Sequence, residues 1–212
     1  MRASLADQGG PGGPERLSLL AIGLGANLPS AAGDPCDTLV AVRPRLDALL
    51  CRWAGATCAL WWSPLFRTAP VGGPPGQPDY LNAALVAAVP LPPDADRALT
   101  LLRGLQRLEL AFGRERLVRW GARSLDLDLL WWNGLTCEQP VLQLPHPRWR
   151  ERGFVVQPLR AIADCCGRQA GPGAELVAEL PVVELDRFRR MLAALPSFPE
   201  LLPLPPQNGW PE

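Results

Sequence analysis

The sequence predicts a globular domain of the α+β class. The 212-residue chain is 48% hydrophobic and 20% charged, a composition typical of a protein with a substantial buried core. Strand-like and helix-like segments follow one another in the order β, α, β, loop, β, α, β. This order indicates a mixed sheet packed with helices.

The first half of the domain is predicted to contain two strands and a helix. A Gly/Pro-rich lead at 1–16 is expected to be flexible, and the apolar segment LSLLAIGLGANL that follows it is predicted as a buried strand. Residues 34–50 have apolar side chains three and four positions apart, with Asp34 as N-cap and Pro35 at the first helical position. Pro44 is expected to kink this helix or to move its start. The segment CALWWSPLFRT is predicted as the second strand.

The second half of the domain is predicted to contain two strands and two helices after a loop. Residues 69–81 are rich in proline and glycine and are predicted as an irregular but ordered loop. NAALVAAVPL is predicted as a strand, 93–112 as an amphipathic helix, and SLDLDLLWWNG as a further strand. LPHPRWRERGFVVQPLRAIA, predicted as a loop, a turn and a helix, completes a domain over 17–166. The tail at 167–212 is predicted to hold one helix and then a proline-rich, poorly ordered end.

Charge and composition exclude several classes of function. The formal net charge is zero, which argues against a general nucleic-acid binder. No apolar run approaches the roughly 18 residues of a membrane span, and the N-terminus has no apolar signal region, so we expect a cytoplasmic protein. The chain contains no lysine and one histidine, which excludes mechanisms that need a catalytic lysine.

The most informative motif is the acidic pair in SLDLDLL. Side chains alternate across a strand, so Asp126 and Asp128 share one face, with Cα atoms about 6.6 Å apart. Carboxylates this close repel each other unless a cation lies between them, and hard divalent cations prefer oxygen ligands. Two such ions could bridge both acids to a substrate. A strand with a polar outer face is the alternative for this pair taken alone.

Arginines cluster directly before the acidic pair. Within ten residues the chain carries Arg114, Arg116, Arg119 and Arg123, and only one acidic residue interrupts them. Guanidinium groups beside carboxylates suit a polyphosphate, and phosphoryl transfer needs mainly positioning and charge neutralisation. The residues therefore predict a site for metal ions and a polyphosphate.

Two further segments offer candidate binding groups. Tyr80 could stack on a planar ring, and the amide of Asn82 offers a donor and an acceptor to a heterocycle edge. The alternative is that these residues only end a loop and start a strand. His146 lies between prolines and near Arg148, Arg150 and Arg152, and is either structural or part of a phosphate-binding set.

Taken together, these motifs resemble a known family. FRTAP, QPDYLNAA, WGARSLDLDLL and LPHPRWRERGFVVQPL resemble the 6-hydroxymethyl-7,8-dihydropterin pyrophosphokinases over residues 19–163. The resemblance implies a ferredoxin-like βαββαβ core with a mixed, mainly antiparallel sheet. It also implies transfer of pyrophosphate from ATP to the pterin hydroxymethyl group in folate biosynthesis, with release of AMP. A monomer is implied, while contact with other folate-pathway enzymes stays open.

The resemblance also implies roles for individual residues. Asp126 and Asp128 would hold two magnesium ions, and Arg114 and Arg123 would assist transfer by stabilising charge on the phosphates. The positions that contact ATP would be Gln106, Glu109, Arg116, Arg119, Trp120, His146 and Arg152. The positions that bind the pterin would be Thr68, Ala69, Val71, Tyr80, Asn82 and Phe154.

Two other functions are alternatives to this one. A nucleotidyltransferase also uses an acidic pair on a strand but has a Gly-Ser turn about ten residues earlier, whereas Gly121 and Ser124 lie too close to the acids here. A non-catalytic ferredoxin-like module that binds a nucleotide has no use for two carboxylates beside the phosphates. Dependence of nucleotide binding on magnesium would separate such a module from an enzyme.

Overall fold

A five-stranded antiparallel sheet forms the centre of the fold. The structure, a computed structural model, describes residues 17–115, 120–165 and 182–211, so the lead at 1–16 lies outside the described residues. The elements along the chain are β1 (Ser18–Ala26), α1 (Pro35–Ala54), β2 (Ala59–Trp62), β3 (Phe66–Thr68), β4 (Tyr80–Val89), α2 (Ala95–Ala111), β5 (Asp126–Trp132), β6 (Cys137–Gln139), β7 (Leu142–Leu144), a 3-10 turn (Trp149–Glu151), α3 (Gly153–Cys165) and α4 (Val182–Ala193).

The strand order is that of a ferredoxin-like sheet. The order is β2-β4-β1-β5, with the short β3 paired to β4, and each pairing between these strands is antiparallel. The predicted α+β class with a mainly antiparallel sheet is therefore confirmed. No helix in the described ranges combines the length and apolar character that a membrane span requires.

Helix α1 begins where its capping residues predict. The Asp34 side chain accepts hydrogen bonds from the backbone N–H groups of Cys36 and Asp37, and the Asp37 carboxylate accepts one from the N–H of Asp34. Gly55, with φ of 70°, ends the helix in a left-handed conformation. Pro44 neither starts nor ends the helix, which runs through it and four residues beyond the predicted end at Leu50.

The segment predicted as one second strand is two strands. Ser63 and Pro64 separate β2 from β3, because proline has no N–H to donate to the ladder. The Ser63 hydroxyl accepts a hydrogen bond from the N–H of Ala84 and donates one to the carbonyl of Pro64, which satisfies the groups at this break. β3 is thereby displaced from the line of β2 and pairs with the first residues of β4.

The two faces of the sheet pack against different pairs of helices. One face packs against α1 and α2 through residues such as Leu20 and Ile22. The other face packs against α3 and α4 through Leu19, Ala21 and Trp131. Beyond these contacts, the second face carries small and polar residues, and a cavity opens there.

The end of the chain packs against the domain. We expected a poorly ordered end, yet Trp210 is buried in the core and its indole N–H donates to the carbonyl of Ser63 at 2.8 Å. The N–H of Leu204 donates to the carbonyl of Leu65 at 2.7 Å. The reason for the difference is that a few apolar residues in a proline-rich segment suffice to anchor it. The division of the chain at residue 167 stays a prediction.

Candidate active site

A cavity of about 490 Å³ opens on the second face of the sheet. Every described residue that the sequence analysis assigned to the site lines this cavity. These residues are Thr68, Ala69, Val71, Tyr80, Asn82, Gln106, Glu109, Arg114, Trp120, Arg123, Asp126, Asp128, His146, Arg152 and Phe154. Arg116 and Arg119 lie outside the described residues.

Strand β5 places the acidic pair opposite two glycines. Asp126 pairs in register with Gly25 and Asp128 with Gly23, so no side chain from β1 covers the carboxylates. A Cβ at Gly25 would lie 3.2 Å from Oδ1 of Asn82. The glycines therefore leave room for a ligand between the acids and Asn82. The alternation within SLDLDLL does not reveal this feature, because it depends on the neighbouring strand.

The two carboxylates differ in their surroundings. Asp126 lies 2.7 Å from Nη2 of Arg114 and 2.9 Å from Nη1 of Arg123. Asp128 makes no hydrogen bond or ion pair with the side chains of the described residues. Burial, and then the charge of Asp126, raises the pKa of Asp128 to about 7. In the protein alone the charged form of Asp128 is therefore disfavoured, and a cation bound beside it would stabilise that form.

Glu109 joins α2 to β5 and to the arginines. Its Oε1 atom accepts a hydrogen bond from the N–H of Leu127 at 2.8 Å and forms an ion pair with Arg114. Glu109 is 2% exposed, so both contacts are shielded from water. Glu109, Arg114 and Asp126 thus form a continuous charged row at the cavity wall. The predicted ATP contact of Glu109 stays a prediction, since these contacts are with the protein.

Arg123 is held from two sides. Its N–H donates to Oδ1 of Asn27 at 2.7 Å, and its carbonyl accepts from the N–H of Asn27 at 3.0 Å. Burial alone would lower the pKa of the Arg123 guanidinium, but the charge of Asp126 raises it above its usual value. The guanidinium is therefore permanently charged and fixed beside the acids. The sequence analysis assigned no role to Asn27, which acts on the site through the backbone of another residue.

One end of the cavity is lined by polar and aromatic side chains, of which Asn82 and Tyr80 lie close to Asp126 around Gly25. Asn82 Nδ2 donates to Oγ1 of Thr68 at 2.8 Å, and both residues are buried. The Tyr80 hydroxyl donates to the carbonyl of Gly121 at 3.2 Å, which ties β4 to residues 120–125 before β5, termed the arginine loop. Phe154 contributes an aromatic ring from the first turn of α3, with the Arg152 guanidinium 5.6 Å from its centre. This end suits a flat ring with a polar edge.

His146 is held as a neutral donor. Its Nδ1 atom accepts a hydrogen bond from the N–H of Arg148 at 3.3 Å, so the neutral ring carries its proton on Nε2. Burial, followed by the charge of Arg152, lowers the pKa of the imidazole. Because the ordinary pKa is about 6.5, the ring is neutral at pH 7.

Arg148 is a cavity residue that the sequence analysis grouped with His146 but did not assign to a binding site. Its exposed side chain lines the cavity, whereas that of Arg150 stacks 5.4 Å from the ring centre of Trp149 and lines a different cavity. The local signal was present, because Arg148 lies two residues after His146. The direction in which each arginine points could not be predicted, since it depends on the short turn at Trp149–Glu151.

Two loops meet at the mouth of the cavity. The Gln77 side chain donates to the carbonyl of Trp120 at 3.1 Å. A Cβ at Gly73 would lie 2.2 Å from that carbonyl oxygen, so only glycine permits this approach. The proline-rich loop and the end of the arginine loop are therefore in direct contact.

The chain is similar to known proteins of one family. A family model described as 7,8-dihydro-6-hydroxymethylpterin-pyrophosphokinase matches residues 21–164. A 2-amino-4-hydroxy-6-hydroxymethyldihydropteridine pyrophosphokinase of Synechocystis is 36% identical over 150 residues, covering 71% of this chain and 69% of that protein. A protein of the same name from Haemophilus influenzae is 35% identical over 159 residues, covering 75% and 88%. A folate synthesis bifunctional protein of Arabidopsis thaliana is 37% identical over 113 residues, covering 53% and 19%.

Proposed function

The chain belongs to the 7,8-dihydro-6-hydroxymethylpterin-pyrophosphokinase family, and we propose that it transfers pyrophosphate from ATP to 6-hydroxymethyl-7,8-dihydropterin. Family membership makes the chain a pyrophosphokinase of folate synthesis. The observation that carries the finer proposal is a single cavity that joins an acid–arginine end to an aromatic and amide end. The products are the pterin diphosphate and AMP.

The acidic pair fits divalent metal ions, and we infer that it holds two magnesium ions. The donor set consists of carboxylate oxygens, which magnesium prefers, and Asp128 has no ion-pair partner among the side chains of the described residues. In the described part of the chain, no group of three or more His, Cys, Asp or Glu side chains is arranged to hold a metal ion. Phosphate oxygens and water would therefore supply the remaining ligands. Magnesium bound there neutralises charge on the phosphate oxygens.

The arginines act on the transferred group. In the proposed step, the pterin hydroxyl oxygen forms a bond to the β-phosphorus of ATP as the bond from that phosphorus to the α,β-bridging oxygen breaks. AMP leaves with the bridging oxygen, and the hydroxyl proton passes to water. Arg114 and Arg123, both held by Asp126, are placed to stabilise the negative charge on the phosphates. Because these guanidinium groups are held before substrate binds, little reorganisation is needed.

The part of the cavity that we propose binds ATP is lined by hydrogen-bond donors whose role requires no change of protonation. The neutral His146 offers Nε2–H, and Gln106 offers its side-chain amide. Arg152 and Arg148 add two positive charges at the same wall. We include Arg148 in the ATP-binding set because it lines the cavity without a carboxylate partner among the described residues.

The pterin end is built for a ring with hydrogen-bonding edges. The rings of Tyr80 and Phe154 provide aromatic surface. Because Asn82 uses its N–H group on Thr68, its Oδ1 atom is oriented as an acceptor toward the ligand space beside Gly25. An amide fixed in this way selects a ring edge that donates hydrogen bonds, such as the amino group of a pterin.

The family assignment excludes both alternatives weighed from the sequence. The chain is an enzyme, and its class is pyrophosphokinase rather than nucleotidyltransferase. The monomeric state, the absence of nucleic-acid and membrane partners, and the cytoplasmic location stay predictions. Contact with other enzymes of folate synthesis is also a prediction, which gains support from a relative named as a bifunctional protein of folate synthesis.

A chromatographic assay tests the proposed reaction. The protein is mixed with ATP, magnesium and 6-hydroxymethyl-7,8-dihydropterin, and the nucleotides are separated, with one control lacking pterin and another containing EDTA. AMP that forms only when pterin and magnesium are both present is the expected result. ADP formation, or AMP in the EDTA control, would contradict the proposal.

A further inference from the structure

Residues 198–210, which we term the strap, lie outside the family match at 21–164. They nevertheless contact two elements that carry the pterin end of the cavity. One is the connection from β2 to β3, and the other is the start of α3. These contacts are made by residues that the family match does not cover.

The strap covers the outer edge of β3. The inner edge of this three-residue strand pairs with β4, and Thr68 at its end lines the cavity. On the outer side, Pro203 forms a bridge with Phe66 and the N–H of Leu204 donates to the carbonyl of Leu65. A strand this short has few contacts of its own, so the strap contributes a large share of what fixes it.

Trp210 anchors the strap. Its side chain is 6% exposed, packs edge-on against Trp62 at 5.6 Å, and donates to the carbonyl of Ser63 at 2.8 Å. The Arg43 guanidinium lies 5.3 Å from the ring centre of Trp62 and 5.5 Å from that of Trp210. Arg43 also donates to the carbonyl of Gly209 at 2.7 Å, so the end of the strap is held by hydrogen bonds and by ring contacts.

The other end of the strap meets the first residue of α3. A Cβ at Gly153 would lie 2.7 Å from Cδ1 of Phe198 and 2.9 Å from Cδ1 of Leu201. The next residue, Phe154, provides an aromatic wall of the cavity. The strap therefore contacts Phe66, two residues before Thr68, and Gly153, which directly precedes Phe154.

We propose that the strap positions Thr68 and Phe154 for pterin binding, with Trp210 as its positioning residue; this rests on the proposed function. The strap touches no reacting atom. It acts by fixing β3 and the first turn of α3, whereas the acid pair and its arginines lie on elements held by Glu109 and Asn27. Loss of the anchor is therefore expected to weaken pterin binding more than ATP binding.

The test compares Trp210→Ala with Leu202→Ala, a matched variant in the same strap whose side chain is 71% exposed. The pterin Kd is measured by titration, and the KM values for pterin and ATP are measured well below the melting temperature of each variant. In Trp210→Ala, the pterin Kd and KM should rise roughly tenfold while the ATP KM stays within about twofold. Leu202→Ala should match the wild type, and Trp210→Phe should recover part of the loss because it keeps the ring packing.

Phe198→Ala provides a second variant in case Trp210→Ala does not fold, and the same selective rise in the pterin KM is expected. An unchanged pterin Kd in a folded variant would overturn the positioning role. Equal rises in the KM values for pterin and ATP would also overturn it, because they would indicate general destabilisation. Failure of the proposed function is distinguishable, since the wild-type protein would then make no AMP.

Discussion

Replacement of Glu109 tests the charged row that holds Arg114. Glu109→Gln keeps an oxygen that can accept the Leu127 N–H but removes the charge facing Arg114, whose side chain is 11% exposed. Loss of one charge-assisted hydrogen bond in such a setting costs about 1.5–3 kcal/mol of unfolding free energy. Glu109→Ala also leaves the buried Leu127 N–H without an acceptor, so its cost rises to about 3–5 kcal/mol.

The assay for Glu109 combines stability with activity. Urea unfolding gives the free energy of unfolding of the wild type, both variants and the exposed neighbour control Leu110→Ala. We expect the free energy of unfolding to be highest for the wild type and the control, lower for Glu109→Gln and lowest for Glu109→Ala. We also expect kcat to fall in both Glu109 variants, because Glu109 no longer holds Arg114 in place. If both Glu109 variants lost less than about 0.5 kcal/mol of unfolding free energy, as substitutions at exposed positions do, and kcat were unchanged, the reasoning would be refuted.

Three further predictions concern the cavity. Because the pKa of Asp128 is raised, its protonated form favours the folded state, and without metal this contribution to stability is lost as pH rises from about 4 to about 7. Magnesium should therefore raise the melting temperature more at pH 8 than at pH 5.5. Asp128→Asn should remove this difference. Arg148→Gln should raise the KM for ATP about tenfold, whereas Arg150→Gln, outside this cavity, should leave it unchanged; equal effects in steady-state assays would remove Arg148 from the site. Gly25→Ala should weaken pterin binding in a titration, because the new methyl group would lie 3.2 Å from Oδ1 of Asn82, and an unchanged Kd would show that the ligand lies elsewhere.

Local sequence patterns were sufficient to predict those parts of the site that lie on a single strand or helix. The period of two in SLDLDLL places Asp126 and Asp128 on one face, and the structure has them there on β5. The capping residues around Asp34 predicted the start of α1 for the same reason, because the interactions span only a few residues. Such features depend on backbone geometry that is set locally.

Other features could not be predicted because they depend on distant partners. Trp210 donates to a residue 147 positions away, and nothing in its proline-rich neighbourhood indicates that contact. Glu109 was recognised only as a position in a motif, while its bonds to Leu127 and Arg114 require the packing of α2 against β5. The glycines opposite the acids acquire their meaning only from the strand register.

The most direct test of the account is to follow the reaction by phosphorus NMR. With ATP, magnesium and the hydroxymethylpterin, the account predicts that AMP and a pterin ester with two coupled phosphorus signals appear together in equal amounts. Their appearance would show that the β- and γ-phosphates move as one unit. ADP together with a pterin ester showing one phosphorus signal, or inorganic pyrophosphate without a pterin ester, would contradict the account.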